Sequence, residues 1–254
     1  MARQSDASPD PAGDPVSAIP VLITRPRTRA EALASQLLAR FGTRVHPVIA
    51  PLMAPEYLSP PVPEGRFAAV VFTSAEGVAG AVRLNANLPR LAWCVGRSTA
   101  AAAAAAGFET RSADGNAKAL IAAILKDPPD GRILYLHGVD TSGDLDKALQ
   151  NNGISTVSLQ VYLQKAIPLG GEATQLLRRQ GPVILPAFSP RSAGLFRAAM
   201  PADARADLRI AAMSAAVAQA CHDIPHSALV TAARPDAGAM LDAVESLLAA
   251  PPLP

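Results

Sequence analysis

Short aliphatic runs alternate with Ala- and Leu-rich stretches of helical periodicity along most of this chain. Val21-Leu22-Ile23-Thr24 reads as a strand. Arg29 to Phe41 reads as the helix behind it, with Ala30, Leu33, Leu37 and Leu38 at helical spacing and Gly42 where a terminating glycine belongs. Ala69 to Phe72, Ala92 to Val95, Ile133 to Leu136, Val183 to Leu185, Ile210 to Met213 and Leu229-Val230 are further strands, most with a helix following. Strands that are apolar throughout, rather than alternating, are buried on both faces. They predict an α/β fold with parallel sheets flanked by helices.

The pattern also repeats. Val21-Leu22-Ile23 through Gly42 resembles Ile133-Leu134-Tyr135 through Gly153. Phe72-Thr73-Ser74 resembles Phe188-Ser189-Pro190, and Val95-Gly96-Arg97-Ser98 resembles Met213-Ser214-Ala215-Ala216. Asn116 to Leu125 resembles Asp236 to Leu247. The offset drifts only from about 112 to about 120 residues, as two similar βα-built domains would give, although generic βα units also resemble one another by chance. The segments from Val48 to Pro63 and from Val157 to Ile167 are extended, and the second alternates Val157, Leu159, Val161 and Leu163. Pairing of these two segments would make a two-stranded connection. The expected domains are then residues 18–49 with 165–254, discontinuous, and residues 50–164, after a disordered tail over 1–17.

Composition narrows the function classes. The chain has 254 residues, half of them hydrophobic and 4% aromatic. A formal charge of +2 argues against nucleic-acid binding. Arg greatly exceeds Lys, which fits either genomic composition bias or carboxylate recognition. Cys94 and Cys221 sit in apolar context and read as buried thiols. Met1 to Ser17 has no apolar core of a signal peptide, and the Ala100 to Ala106 run is too short to span a bilayer. A reducing cytoplasm and no membrane partner are expected, with a short tail at Pro251 to Pro254.

No metal or nucleotide motif is written in the chain. His222 and His226 are four apart, but Pro225 breaks any helix that would align them. Walker and Gly-x-Gly-x-x-Gly loops are absent, as is a nucleophile elbow. What recurs is Ser or Thr between a strand and a helix: Thr73-Ser74, Ser98-Thr99, Ser189-Pro190 and Ser214. Plain helix capping explains any one of them. Together they would line the carboxyl ends of parallel strands, where helix N-termini favour anions. A ligand studded with carboxylates suits that edge.

Thr24-Arg25-Pro26, Phe72-Thr73-Ser74, Val95-Gly96 with Thr99, Tyr162, Ser189-Pro190-Arg191-Ser192-Ala193 and Ala233-Arg234-Pro235 occur in an order and spacing that resemble uroporphyrinogen-III synthase over about residues 18–248. The resemblance implies two α/β domains joined by a two-stranded ladder, with a cleft between them. It implies cyclisation of hydroxymethylbilane to uroporphyrinogen III, with loss of water, inversion of the last ring, and no cofactor or metal. Thr24, Arg25, Thr73, Ser74, Thr99, Ser189, Ser214 and Arg234 would bind substrate, and Tyr162 would hydrogen-bond the departing hydroxyl or else pack as a ladder tyrosine. A monomer that receives the bilane transiently from hydroxymethylbilane synthase is the expected state. The chain departs from the family at His137-Gly138, followed by Thr141 and Ser142, where many members carry Arg-Gly and a further Arg, and at Ala216, where some carry Thr. Two other readings stay open: a two-domain solute-binding protein, and an inactive homologue that binds a polycarboxylate tetrapyrrole.

Overall fold

A computed structural model describes residues 18–140 and 143–249; the tails expected over 1–17 and 251–254, and Thr141 and Ser142, lie outside the described residues. In chain order the strands are β1 (Ile19–Ile23), β2 (Val45–Ile49), β3 (Met53–Tyr57), β4 (Phe67–Phe72), β5 (Leu91–Cys94), β6 (Glu109–Ser112), β7 (Arg132–Gly138), β8 (Thr156–Ala166), β9 (Pro182–Ala187), β10 (Asp207–Ala212) and β11 (Ala228–Thr231). The helices are α1 (Arg27–Phe41), α2 (Ala75–Arg83), α3 (Arg97–Ala105), α4 (Ala117–Lys126), α5 (Leu145–Asn151), α6 (Gly171–Arg178), α7 (Pro190–Ala199), α8 (Ala215–Ala220) and α9 (Ala237–Leu248). They form two compact units, one from the residues up to Met53 together with those from Ala166 onward, the other Ala54–Lys165.

The first unit holds a sheet of order β11-β10-β9-β1-β2, parallel at every pairing. Leu22, Val183, Leu185, Leu208 and Ile210 pack on one face with Leu177, Phe196 and Val217 of α6, α7 and α8. On the other face Val21, Ile23, Ile184 and Ala211 pack against Leu33 and Leu37 of α1 and Met240, Val244 and Leu247 of α9. Each buried Val, Leu, Ile, Phe or Met among them is worth about 1.5–3 kcal/mol relative to exposure. α1 stops at Gly42, whose φ of 55° an L side chain rarely adopts. Arg209, buried in β10, pairs with Asp207 at 2.9 Å and donates to the Leu247 carbonyl at 3.0 Å, fixing the end of α9 against the sheet.

The second unit has the order β3-β8-β7-β4-β5-β6, with parallel pairing from β8 through β6. Apart from β3, this order is that of the first sheet, with β8, β7, β4, β5 and β6 in the places of β2, β1, β9, β10 and β11. Val70, Phe72, Leu134, Leu136 and Val161 face α2 and α3, while Ala69, Val71, Ile133 and Tyr135 face α4 and α5. Helix α2 lies directly on the sheet because Gly77 and Gly80 have no Cβ: one would meet the Leu136 carbonyl at 2.9 Å, the other Val161 at 2.7 Å.

Capping explains where the helices begin. Ser74, Asn116, Ser189, Ser214 and Asp236 each accept a backbone N–H of the first turn, and Pro190 stands at the first helical position. Two details differ from the sequence expectation. Ser98 and Thr99 do not cap α3: Gly96 is the extended residue before it, and Thr99 is buried within its first turn. Equivalent caps also align Ser74, not Thr73, with Ser189, so the repeat is one residue out of register there.

Both cysteines are free and fully buried. Burial pushes the Cys94 thiol up from 9.0 to about 11, and it raises Cys221 too. A raised folded-state pKa gives stability that is complete below pH 9.0 and lost as pH climbs through about 11. Urea unfolding between those pH values should therefore show wild type losing on the order of 2 kcal/mol more than Cys94→Ala. Equal losses in the two proteins would contradict this.

Candidate functional site

At the carboxyl edge of the six-stranded sheet, β8 departs from regular pairing. His137 lies opposite Gln160, but Gly138 lies opposite Tyr162, leaving Val161 as the extra residue of a bulge. Val161 and Tyr162 consequently both pack toward the α2 side of the sheet. The Tyr162 ring lies over Gly138, where a Cβ would sit 2.6 Å from Cζ. Its hydroxyl is 3.0 Å from Ser74 Oγ, which also accepts the Gly77 N–H at 3.0 Å. Tyr162, Ser74 and the first turn of α2 are thus one connected group. Neighbouring Thr73 meets Tyr135 instead, with 3.2 Å between the hydroxyls. Burial raises the Tyr135 pKa despite the opposing Thr73 hydrogen bond.

In the five-stranded sheet, Thr24 and Arg25 follow β1, Ser189 follows β9, Ser214 follows β10 and Arg234 follows β11, so parallel pairing sets all five at one edge. Thr24 is buried. The Arg25 guanidinium stacks 3.9 Å over the Phe188 ring and has no carboxylate partner among the described residues. Burial, with a smaller contribution from Arg29, lowers its pKa to about 10, so it remains a cation at neutral pH. Ser189 is committed to a capping box, its Oγ 3.1 Å from the Ser192 N–H and 2.9 Å from Ser192 Oγ. Ser214 caps α8. The exposed Arg234 is paired with Asp236 at 3.1 Å.

The structure therefore joins Ser74 to Tyr162, sets Thr73 beside them, and gathers Thr24, Arg25, Ser189, Ser214 and Arg234 at the other sheet's edge. Thr99 stands apart, inside the first turn of α3. None of these residues lines a cavity of about 750 Å³ in the second unit, whose wall includes Tyr135, His137, Asp144, Asp146, Ser158 and Gln160. Here sequence reasoning missed residues, although His137 had already stood out as a departure from the family's Arg. Among the described residues no group of three His, Cys, Asp or Glu could hold a metal, and no helix is long and apolar enough to cross a membrane.

Two parallel-dominated sheets flanked by helices define an α/β protein. A family model described as uroporphyrinogen-III synthase HemD matches residues 31–242. The chain belongs to the uroporphyrinogen-III synthase family. No curated protein matches it. The solved uroporphyrinogen-III synthetase of Helicobacter pylori 26695 is similar at 19% identity, covering 91% of this chain and 99% of that one, with a TM-score of 0.55, which shows the shared fold. A mutant uroporphyrinogen III synthase from the extremely thermophilic bacterium Thermus thermophilus shares 18% identity over 91% of this chain and 99% of its own, with a TM-score of 0.43.

Gly138 is the position on which the Tyr162 placement depends. Gly138→Ala should cost about 1–3 kcal/mol of stability in urea unfolding, because the ring must move and stretch its bond to Ser74. Combined with Tyr162→Ala, the same substitution should cost little. An equal penalty in both backgrounds would show that the crowding lies elsewhere.

Proposed function

We propose that the protein is a uroporphyrinogen-III synthase: a lyase that cyclises hydroxymethylbilane to uroporphyrinogen III with loss of water and inversion of ring D. The observation that carries this reading is the family match over residues 31–242. The proposed setting is the cytoplasm, with a monomer acting on bilane handed over by hydroxymethylbilane synthase. In this reading the two compact units serve as the two domains, residues 18–49 with 165–254 and residues 50–164.

The chemistry asks little of the protein. The pyrrole nitrogen assists departure of hydroxide from the terminal CH2OH, leaving an azafulvene that closes the ring. The free bilane closes to the unrotated isomer, so the enzyme must favour one branch. A preference of 99:1 needs only about 2.7 kcal/mol between the two barriers. Holding the bilane in a folded pose that blocks simple closure can supply it. Tyr162 would hydrogen-bond the departing hydroxyl, with its ring placed by Gly138 and its oxygen by Ser74. Arg25 is the proposed carboxylate partner at the other edge: it is already partly desolvated, stacked and without a carboxylate partner among the described residues, so part of the arginine's share of the desolvation cost is met before a carboxylate arrives. Ser189 and Ser214 are occupied as caps, so their proposed contribution is to present first-turn amides of α7 and α8, while Thr24, Thr73, Thr99 and Arg234 complete the proposed substrate contacts.

Purified protein given freshly generated hydroxymethylbilane, with no metal or nucleotide added, should yield mainly the type III isomer; only type I product at every enzyme concentration would overturn the assignment. Thr99→Ala and Ser189→Ala should each lower kcat/KM by about threefold to tenfold. Tyr162→Phe should lower kcat further, since its contact with the departing hydroxyl strengthens in the transition state. Thermal melts of the same variants separate that effect from loss of the Ser74 contact. An unchanged kcat in Tyr162→Phe would leave the tyrosine a packing role.

A further inference from the structure

We propose that Tyr135 is a positioning residue for substrate binding: its hydroxyl donates to Thr73 Oγ1, which leaves the Thr73 hydroxyl hydrogen to be donated to a carboxylate of the substrate. The inference rests on the synthase reading for the identity of the ligand, and on the geometry of two side chains for the rest.

Tyr135 lies opposite Val71 in the pairing of β7 with β4, and its hydroxyl reaches past the end of β4 to Thr73, with the two oxygens 3.2 Å apart. The tyrosine has little freedom. Only 3% of it is exposed, it shares a core with Val71, Leu145 and Leu149, and its ring stacks on His137 with centroids 4.4 Å apart. Thr73, by contrast, is only half-buried at the strand end. A threonine side chain has few rotamers, and one bond to a fixed phenol selects among them. The next residue, Ser74, is already committed: its Oγ accepts the Gly77 N–H and meets the Tyr162 hydroxyl.

Distance alone lets either oxygen of the Tyr135–Thr73 pair be the donor, and acidity decides between them. A phenol is the stronger acid and the poorer acceptor, so it donates to the aliphatic hydroxyl. Burial raises the Tyr135 pKa above its ordinary 10.0, which keeps that proton in place at neutral pH. The phenol proton then takes a lone pair of Thr73 Oγ1, and the threonine proton is directed to a different acceptor. A carboxylate only accepts. Two hydroxyls in line, ending on a carboxylate, have both protons directed one way, and each bond strengthens the other. The fixed phenol also spares the threonine part of the entropy it would otherwise lose when substrate arrives.

The test uses the full-length protein and two readouts. One is the kinetics of type III isomer formation from hydroxymethylbilane. The other is calorimetric binding of the bilane that carries a terminal methyl in place of the hydroxymethyl group, which has no hydroxyl to lose and cannot cyclise. Tyr135→Phe keeps the ring and its stack but removes the donor. It should weaken probe binding and raise KM by about threefold to tenfold while kcat stays near wild type. Thr73→Val should do the same, and the double variant should bind no more weakly than Thr73→Val alone, because Tyr135 acts through that one hydroxyl. Thr73→Ser, which keeps a hydroxyl for Tyr135 to hold, should retain most of the affinity. A tyrosine that merely packs would lower the melting temperature and leave KM and probe affinity unchanged, or would add its own loss in the double variant; either result overturns the proposal. If wild type forms the type III isomer while Tyr135→Phe behaves in that way, the positioning role is wrong and the synthase reading stands. If the probe affinities follow the expected pattern but wild type forms no type III isomer, the positioning role stands and the synthase reading falls.

Discussion

The extra residue at Val161 is the constraint on which this carboxyl edge depends. In a regular strand side chains alternate, and Tyr162 would face away from Leu159 and Val161. The bulge turns it to the same face, where only a glycine at position 138 leaves room for its ring. From there it reaches Ser74, and Ser74 in turn fixes the first turn of α2. Gly80 completes the arrangement by letting α2 approach Val161 itself. A backbone irregularity in β8, two side-chain vacancies and one hydroxyl pair therefore set the position of a helix end and an aromatic hydroxyl together.

Much of this was legible beforehand. The continuous apolar runs at Val21, Ala69, Ile133, Val183 and Ile210 marked the central strands because parallel strands are covered on both faces. Ser189-Pro190 announced its helix start. Less visible were β6, where Glu109 to Ser112 carries little apolar character because it is an edge strand, and the start of α3, where the extended Gly96 stands in the place Ser214 holds before α8 but offers no side-chain acceptor. The alternation of Val157, Leu159, Val161 and Leu163 described β8 as a strand but not its bulge. No local signal in a sequence reports a slip that arises from the neighbouring strand.

The edge of the six-stranded sheet also divides labour between its faces. Tyr162 and Ser74 belong to the face covered by α2 and α3, and Tyr135 and His137 to the face covered by α4 and α5. Thr73 and Ser74 are adjacent in sequence, yet one hydroxyl meets Tyr135 and the other meets Tyr162. Two consecutive residues thus connect the β4 end to both tyrosines. The partly buried Arg25 over Phe188 differs: in that unit a cation, rather than a hydroxyl pair, stands at the strand ends.

The division of the chain also has a consequence for its synthesis. The strands β4 to β7 lie wholly within Ala54–Lys165, so one sheet can assemble its centre while later residues are still being added at the ribosome. The other cannot. β1 needs β9 on one side, and α1 shares its hydrophobic face with α9, whose end is fastened by Arg209 through the Leu247 carbonyl. The apolar face of α1 must therefore wait, uncovered, until α9 has been translated, and during that interval it is a stretch of nascent chain that a chaperone would have reason to cover.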